Sequence, residues 1–337
     1  VVPKHIFNCF VQEDLAMKRF KNILLVAKAQ CEHPFELEAA LTLAEQNSAE
    51  ITLLMVLPAL SSFHLMKPER PQQDIEKDYV QHHLNELLAR AGRYQQRAEI
   101  RCKVVIGTEF IQVIRSVLRN HHDLVIKTAE PASWLKRLFG GTDMHLLRKC
   151  PCPLWLLKPE VAPTYSTIAA TVDFNPDDPQ SVEQPLNRQI LELASSIAIH
   201  NSATLHILHA WQLESAGVVL MWSDNPEQAE AEYNQSLYSS HQSGINRLKL
   251  LMAKWIGQPA YDYCKPHFEL LRGDASHILA KRVEELEPGL VVMGTVARTG
   301  IAGLLIGNTA EAMLEQLNCS VLAVKPQGFV SPVTLEE

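Results

Sequence analysis

Leu124-Val-Ile-Lys127-Thr128 and Cys150-Pro-Cys152-Pro153-Leu-Trp-Leu-Leu-Lys158-Pro159 close one half of the chain, and Leu290-Val-Val-Met-Gly294-Thr295 and Cys319-Ser320-Val-Leu-Ala-Val-Lys325-Pro326 close the other. A constant shift of 167 residues carries Lys127 onto Gly294, Gly140 onto Gly307, Cys152 onto Cys319 and Lys158 onto Lys325. Upstream, Gly107-Thr-Glu-Phe-Ile opens a helical stretch as Gly273-Asp-Ala-Ser-His does. A repeat of this length is a duplicated domain, not a solenoid unit.

Each copy alternates strand and helix patterns. Strands are predicted near 22–28, 51–57, 99–106, 123–128 and 153–158, then near 166–172, 203–209, 264–271, 289–294 and 320–325. Helical periodicity falls near 34–47, 74–95, 108–119 and 142–149, then near 183–200, 226–256, 274–286 and 308–317. The strands are short apolar runs without alternation, the pattern of parallel strands buried on both faces. The expected fold is therefore α/β, with two tandem doubly wound domains, each a five-stranded parallel sheet carrying helices on both faces. Pro159 to Thr164 reads as the linker, giving domains at 17–160 and 161–337. Val1 to Ala16 has no periodicity, and Met17-Lys-Arg-Phe-Lys reads as a natural start, so residues 1–16 are expected to be an extension outside the core. Both copies end in a strongly apolar strand, and an unpaired strand edge invites uncontrolled pairing. Pairing those two edges with each other, in a pseudo-two-fold arrangement, is the expected remedy.

Composition sets bounds on function. The 337 residues carry 31 Lys+Arg against 38 Asp+Glu, a net charge of −7. That balance argues against a general nucleic-acid binder, which needs a basic excess to neutralise phosphates. No apolar run reaches the length of a membrane span, and no signal peptide is readable near the start. A soluble, cytoplasmic protein is expected. The 7 cysteines include no CxxC pair and suit neither a disulfide framework nor a zinc site. Cys150 and Cys152, joined through Pro151, read as buried thiols beside a strand.

Chemistry concentrates between the fourth and fifth strands of the second copy. Gly294-Thr-Val-Ala297-Arg298-Thr-Gly300-Ile-Ala-Gly303-Leu-Leu-Ile-Gly307-Asn308-Thr309-Ala-Glu311 leaves the carboxyl end of a strand and enters the amino end of a helix. Open α/β sheets bind ligands there, and helix N–H groups attract phosphate. Glycines let the backbone approach a ligand with no Cβ in the way. The bland alternatives are tight turns at Gly294 and Gly307, a solvated Arg298, and a capping box made by Asn308 with Glu311.

This run resembles the universal stress proteins, whose ATP-binding members carry Gly-x2-Gly-x9-Gly followed by Ser or Thr. The spacing lands on Gly294, Ala297, Gly307 and Asn308, and the resemblance spans residues 19 to 326, as in the tandem-domain type. Ala297 stands in place of the second glycine and Asn308 in place of Ser or Thr. The resemblance implies a Rossmann-like sheet of the adenine nucleotide alpha hydrolase type, and ATP or another nucleotide, with or without Mg, at Val172, Asp173, His209, Gly294, Ala297, Arg298, Gly307, Asn308 and Thr309. Asp173, in Ala-Thr-Val-Asp-Phe-Asn, occupies the nucleoside-side aspartate position of the family. It also implies a cytoplasmic role in stress resistance. Intramolecular domain pairing is expected, and further pairing into a homodimer is compatible with it.

The first copy has lost the constellation. Lys28 stands where Asp173 does, Lys127 where Gly294 does and Glu130 where Ala297 does. In the strand order that the family implies, the two lysines lie close together at one sheet edge. Two ammonium groups there repel unless an anion, or a carboxylate such as Glu130, lies between them; they read as two solvated lysines, or as a small anion site. The doublets His82-His83 and His121-His122 are expected to face solvent, and His209 to be a satisfied histidine near the ligand side. The second copy carries a longer insertion, Val218 to Trp255, that starts in the apolar run Ala216-Gly-Val-Val-Leu-Met-Trp222. Core packing under a long helix is the simplest reading of that run, an apolar cavity or partner surface the alternative.

Neither a Gly-x4-Gly-Lys-Ser/Thr loop nor a Gly-x-Ser-x-Gly elbow nor a His pair at zinc spacing is present. A nucleotide-responsive stress regulator without turnover is the leading expectation. The alternatives are a binder of another metabolite with an apolar moiety and a ligand-free interaction scaffold.

Overall fold

A computed structural model describes residues 20–28, 35–59, 71–130, 141–159, 164–212, 225–296 and 306–335. The expected extension at 1–16, the apolar run at 216–222, and Ala297 and Arg298 lie outside the described residues. The chain forms two compact units.

The first unit comprises residues 18–163 together with 320–337. Its elements run β1 (Asn22–Val26), α1 (Phe35–Asn47), β2 (Glu50–Leu57), α2 (Gln72–Gly92), β3 (Ile100–Ile106), α3 (Glu109–Asn120), β4 (Leu124–Thr128), α4 (Gly141–Lys149) and β5 (Leu154–Leu157). The sheet order is β3-β2-β1-β4-β5, and all of these neighbours are parallel. Ile23, Leu24, Val125 and Ile126 have no exposed surface, because the two central strands are covered on both sides. Each such side chain contributes roughly 1.5–3 kcal/mol on burial. This is why the strands read as apolar runs rather than alternating ones.

The second unit, taken over 164–319, runs β6 (Thr167–Thr171), a 3₁₀ turn (Pro179–Glu183), α5 (Pro185–Asn201), β7 (Thr204–Trp211), α6 (Pro226–Ile256), α7 (Gln258–Cys264), β8 (His267–Arg272), α8 (Ala275–Leu286), β9 (Leu290–Gly294) and α9 (Asn308–Leu314). Its sheet is ordered β9-β6-β7-β8, again parallel. Gly257, at φ 85°, ends the insertion helix α6 and starts α7, with Pro259 in the first turn. Only glycine adopts that backbone without strain.

The expected pairing of the two terminal strands is present. The tenth strand, β10 (Ser320–Val324), belongs to the first unit and runs antiparallel to β5, with Val321 opposite Leu156 and Leu322 opposite Trp155. Lys325, at its end and 5% exposed, donates from Nζ to the carbonyl of Leu147 at 2.6 Å, on the last turn of α4. Burial lowers the Lys325 pKa to about 8. Cys150 and Cys152 are buried free thiols, their Sγ atoms 3.8 Å apart. Among the described residues no helix is long and apolar enough to cross a membrane.

Candidate ligand site

The second unit's strand order reverses direction beside β6. Its successor β7 lies on one side and β9 on the other. The crevice outside such a reversal is where open α/β sheets receive ligands. The register pairs Ala170 with Val292. Carried on two and then three residues, it brings Val172 level with Gly294 and Asp173 level with Thr295.

The loop after β6 is pinned from beneath. Asn187, buried on the first turn of α5, accepts from Asp173 N at 3.2 Å and donates to Asp173 O at 2.8 Å. Ser181 accepts from Asn175 N at 2.8 Å and donates back to that residue's carbonyl at 2.7 Å. These bonds hold the Asp173 backbone while its side chain stands exposed. Val172, by contrast, is buried.

Gly294 ends β9 in an ordinary conformation. A Cβ there would lie 2.9 Å from Leu186 Cδ2, so the glycine admits the first turn of α5 against the strand end. Thr295 follows, fully buried, and among the described residues its Oγ1 has no hydrogen-bond partner. Its carbonyl accepts from Gly307 N at 2.9 Å, which ties together the two ends of the intervening loop.

Gly307, at φ −78° and ψ 146°, is the N-cap of α9, and no side chain caps it. The alternative of a capping box made by Asn308 with Glu311 is therefore not realised, because Asn308 occupies the first helical position. A capping side chain must come from the residue before the first turn. Asn308 and Thr309 are exposed at that turn, where backbone N–H groups lack intrahelical acceptors. An orphaned hydroxyl at Thr295 and an uncapped helix start fit an anionic group. Ala297 and Arg298 lie in the undescribed part of the loop.

His209 is not in contact with this crevice through a free edge; it is sealed inside, 1% exposed. Its Nδ1 lies 3.2 Å from Val172 O, which can only accept, so Nδ1 carries the proton. Nε2 then accepts from His241 Nδ1 at 2.9 Å. The ring stacks on Phe174 with centroids 3.9 Å apart and planes 11° off parallel. Gly244 of α6 makes room for that stack, since a Cβ there would fall 2.3 Å from Phe174 Cε2. His241 and Trp211 continue the column at 5.6 Å. Helix α6 thus buttresses a column of packed rings, while the apolar run at 216–222 lies outside the described residues.

The matching edge of the first unit is closed from within. Lys127 is 1% exposed and its Nζ lies 2.8 Å from Asp143 Oδ1, 3.2 Å from Glu130 Oε1 and 3.3 Å from Glu109 Oε1. Asp143 is wholly buried, and its Oδ2 also accepts from Glu130 N at 2.7 Å. The reading of Lys127 as solvated, or as half of an anion site with Lys28, is corrected: carboxylates already surround its ammonium. Burial works against the charge on Lys127, yet Asp143, Glu109 and Glu130 hold its pKa above the ordinary value. Burial likewise pushes the Glu109 carboxyl up, with Lys127 acting against it. A charged residue inside the apolar run Leu124-Val-Ile-Lys-Thr was the one sequence signal that demanded a partner. His122 also departs from expectation. It is 4% exposed, with Nδ1 donating to Asn22 Oδ1 at 2.6 Å and Nε2 3.3 Å from Ser116 Oγ.

The universal stress protein family model matches residues 19–158 and 164–325, once for each half. The chain belongs to the universal stress protein family. This universal stress protein is similar to universal stress protein E of Escherichia coli K12, at 30% identity over 231 residues, 68% of each chain. The similarity to universal stress protein E of Photorhabdus laumondii is 24% over 327 residues, covering 94% of this chain and 98% of the relative. In fold it matches a protein of unknown function from Pseudomonas aeruginosa PAO1 with TM-score 0.65 and 23% identity, covering 92% of this chain and 94% of the other. A universal stress protein from Archaeoglobus fulgidus gives TM-score 0.57 at 15% identity, covering 90% and 98%. As a member of that family it is a stress-response protein built from tandem α/β domains.

Proposed function

We propose that this universal stress protein is a cytoplasmic regulator or sensor that binds a nucleotide-like small molecule, ATP or a relative, in its second unit, and does so without turnover. The observation that carries this reading is the uncapped start of α9, with Asn308 and Thr309 exposed, beside the orphaned Thr295 hydroxyl at the β6–β9 reversal. The N–H groups of Asn308 and Thr309 would hold a phosphate, and Asp173, exposed at the end of the neighbouring strand, would take a ribose or base. Among the described residues no cluster of His, Cys, Asp or Glu suits a metal ion, so Mg, if it accompanies the nucleotide, would be held by its phosphates.

The first unit favours a second reading. Its equivalent edge is satisfied by the Lys127 ion pairs, so the fold stands there without a ligand, as a protein-interaction scaffold would. Native mass spectrometry of the purified chain separates the two, followed by identification of any released small molecule and an ATP titration by calorimetry. A bound nucleotide that is lost in Gly307→Val supports the sensor. A chain that is empty and ignores added ATP supports the scaffold and overturns the nucleotide reading.

A further inference from the structure

The carboxyl ends of β7 and β8 carry a cavity of about 370 Å³ that the nucleotide reading does not use. Trp211 is the last residue of β7 and Arg272 the last of β8, so the cavity lies at the ligand-receiving edge of the sheet. Trp211, 7% exposed, forms its floor, with Leu270 and Tyr238 beside it and Asn234 and Gln235 of α6 at the rim. Tyr238 is 41% exposed, its ring 6.0 Å from that of Trp211 at an angle of 56°.

Arg272 supplies the charge. Its guanidinium sits 5.7 Å from the Trp211 ring centroid and donates one long hydrogen bond, from Nη2 to Asn234 Oδ1 at 3.4 Å. Among the described residues no carboxylate pairs with it, whereas Arg97, Arg101, Arg188, Arg247 and Arg282 each have one. An arginine held over an aromatic ring presents a planar fork suited to a carboxylate, sulfonate or phosphate. The indole and phenol rings offer faces on which a planar ring stacks. Asn234 and Gln235 add amide donors and acceptors at the rim. The volume lies at the small end of the range for small-molecule sites.

We propose that this cavity binds a small planar aromatic anion, its ring seated on Trp211 and Tyr238 and its charge on Arg272. The site is separate from the α9 crevice. The packed column of Phe174, His209, His241 and Trp211 lies between the loop after β6 and the cavity floor.

The probe is 8-anilinonaphthalene-1-sulfonate, an aromatic sulfonate, titrated into the full chain by fluorescence and by calorimetry. One saturable site is expected, weakened about 10-fold by Arg272→Gln and by a similar factor in Tyr238→Ala. Both side chains are exposed at the rim, so neither substitution challenges folding, and circular dichroism checks that. Gly307→Val should leave the probe's affinity unchanged. If ATP displaces the probe, and its binding falls in Arg272→Gln but not in Gly307→Val, the cavity proposal stands and the α9 reading fails. Probe binding that is absent, or that neither Arg272→Gln nor Tyr238→Ala alters, overturns the cavity proposal whatever the α9 crevice binds.

Discussion

Lys127 and Asp143 illustrate how one residue change remakes a site. Where the second copy has Gly294, the first carries a four-carbon chain ending in an ammonium, and Asp143 meets it at 2.8 Å with no exposed surface. Taking such a pair from water costs several kcal/mol per ion, recovered only when both partners are present. Lys127→Ala therefore leaves Asp143 buried without its counter-charge and should destabilise the first unit by about 3–5 kcal/mol. Urea denaturation followed by circular dichroism measures it. Adding Asp143→Leu to Lys127→Met should recover part of the loss, because an apolar pair has no charge to strand. A loss below about 1 kcal/mol for Lys127→Ala would mean that water reaches the cluster. The position of Lys127 at a strand end was legible in the sequence. Its partner, on a helix 16 residues further on, was not, since a strand-end lysine points to solvent or inward according to what packs beside it.

At the scale of elements, α6 shows why an insertion of this length is retained. Its exposed face reads as a polar helix, while His241, Gly244, Ile245 and Leu248 are buried. Gly244 lies in the helix interior, where glycine costs about 1 kcal/mol relative to alanine. The Phe174 ring occupies the space in which an alanine methyl would stand. Gly244→Ala should thus destabilise the second unit by about 1–3 kcal/mol, by overpacking that outweighs the gain in helix propensity. Thermal unfolding of the variant checks the sign: a raised Tm would mean that Phe174 can move aside at little cost. The helix itself followed from its period, and its predicted span of 226–256 matches the observed one. Helix α7 did not, because Pro259 two residues beyond Gly257 reads equally well as a loop. Nor did the capping at α9, where Gly307 takes the place expected of Asn308.

At the scale of the whole molecule, stability carries a pH dependence written by His122. Burial lowers its pKa to about 4, against 6.5 for the unperturbed ring. Above pH 6.5 both folded and unfolded chains hold the ring neutral, and its contribution is constant. As pH falls from 6.5 toward 4, the unfolded chain takes up the proton and the folded chain does not. Stability is lost across that window, roughly 3 kcal/mol in all at 1.36 kcal/mol per pKa unit. Below pH 4 the folded ring protonates too and this loss levels off. His122→Gln should flatten the slope between pH 6.5 and 4 in urea unfolding, while leaving the carboxylate-driven loss at lower pH. An unchanged slope in the variant would show that water reaches the His122 ring in the folded state.

The doubling of the chain and the order of its strands and of every helix but α7 were set by the sequence alone, which also points to the edge at which a ligand would enter. These features rest on local periodicity and on a repeat that can be aligned with itself, so no distant contact is needed to read them. Tertiary structure decided what each charged or aromatic residue at that edge does. Lys127 is paired with carboxylates, His209 is locked to Val172 and His241, and Arg272 stands over Trp211 with no carboxylate partner among the described residues. It also assigned β10 to the first unit, where Lys325 reaches a carbonyl 178 residues away. Whether a polar group faces water or a partner depends on atoms brought together from remote parts of the chain, and packing alone determines which atoms those are.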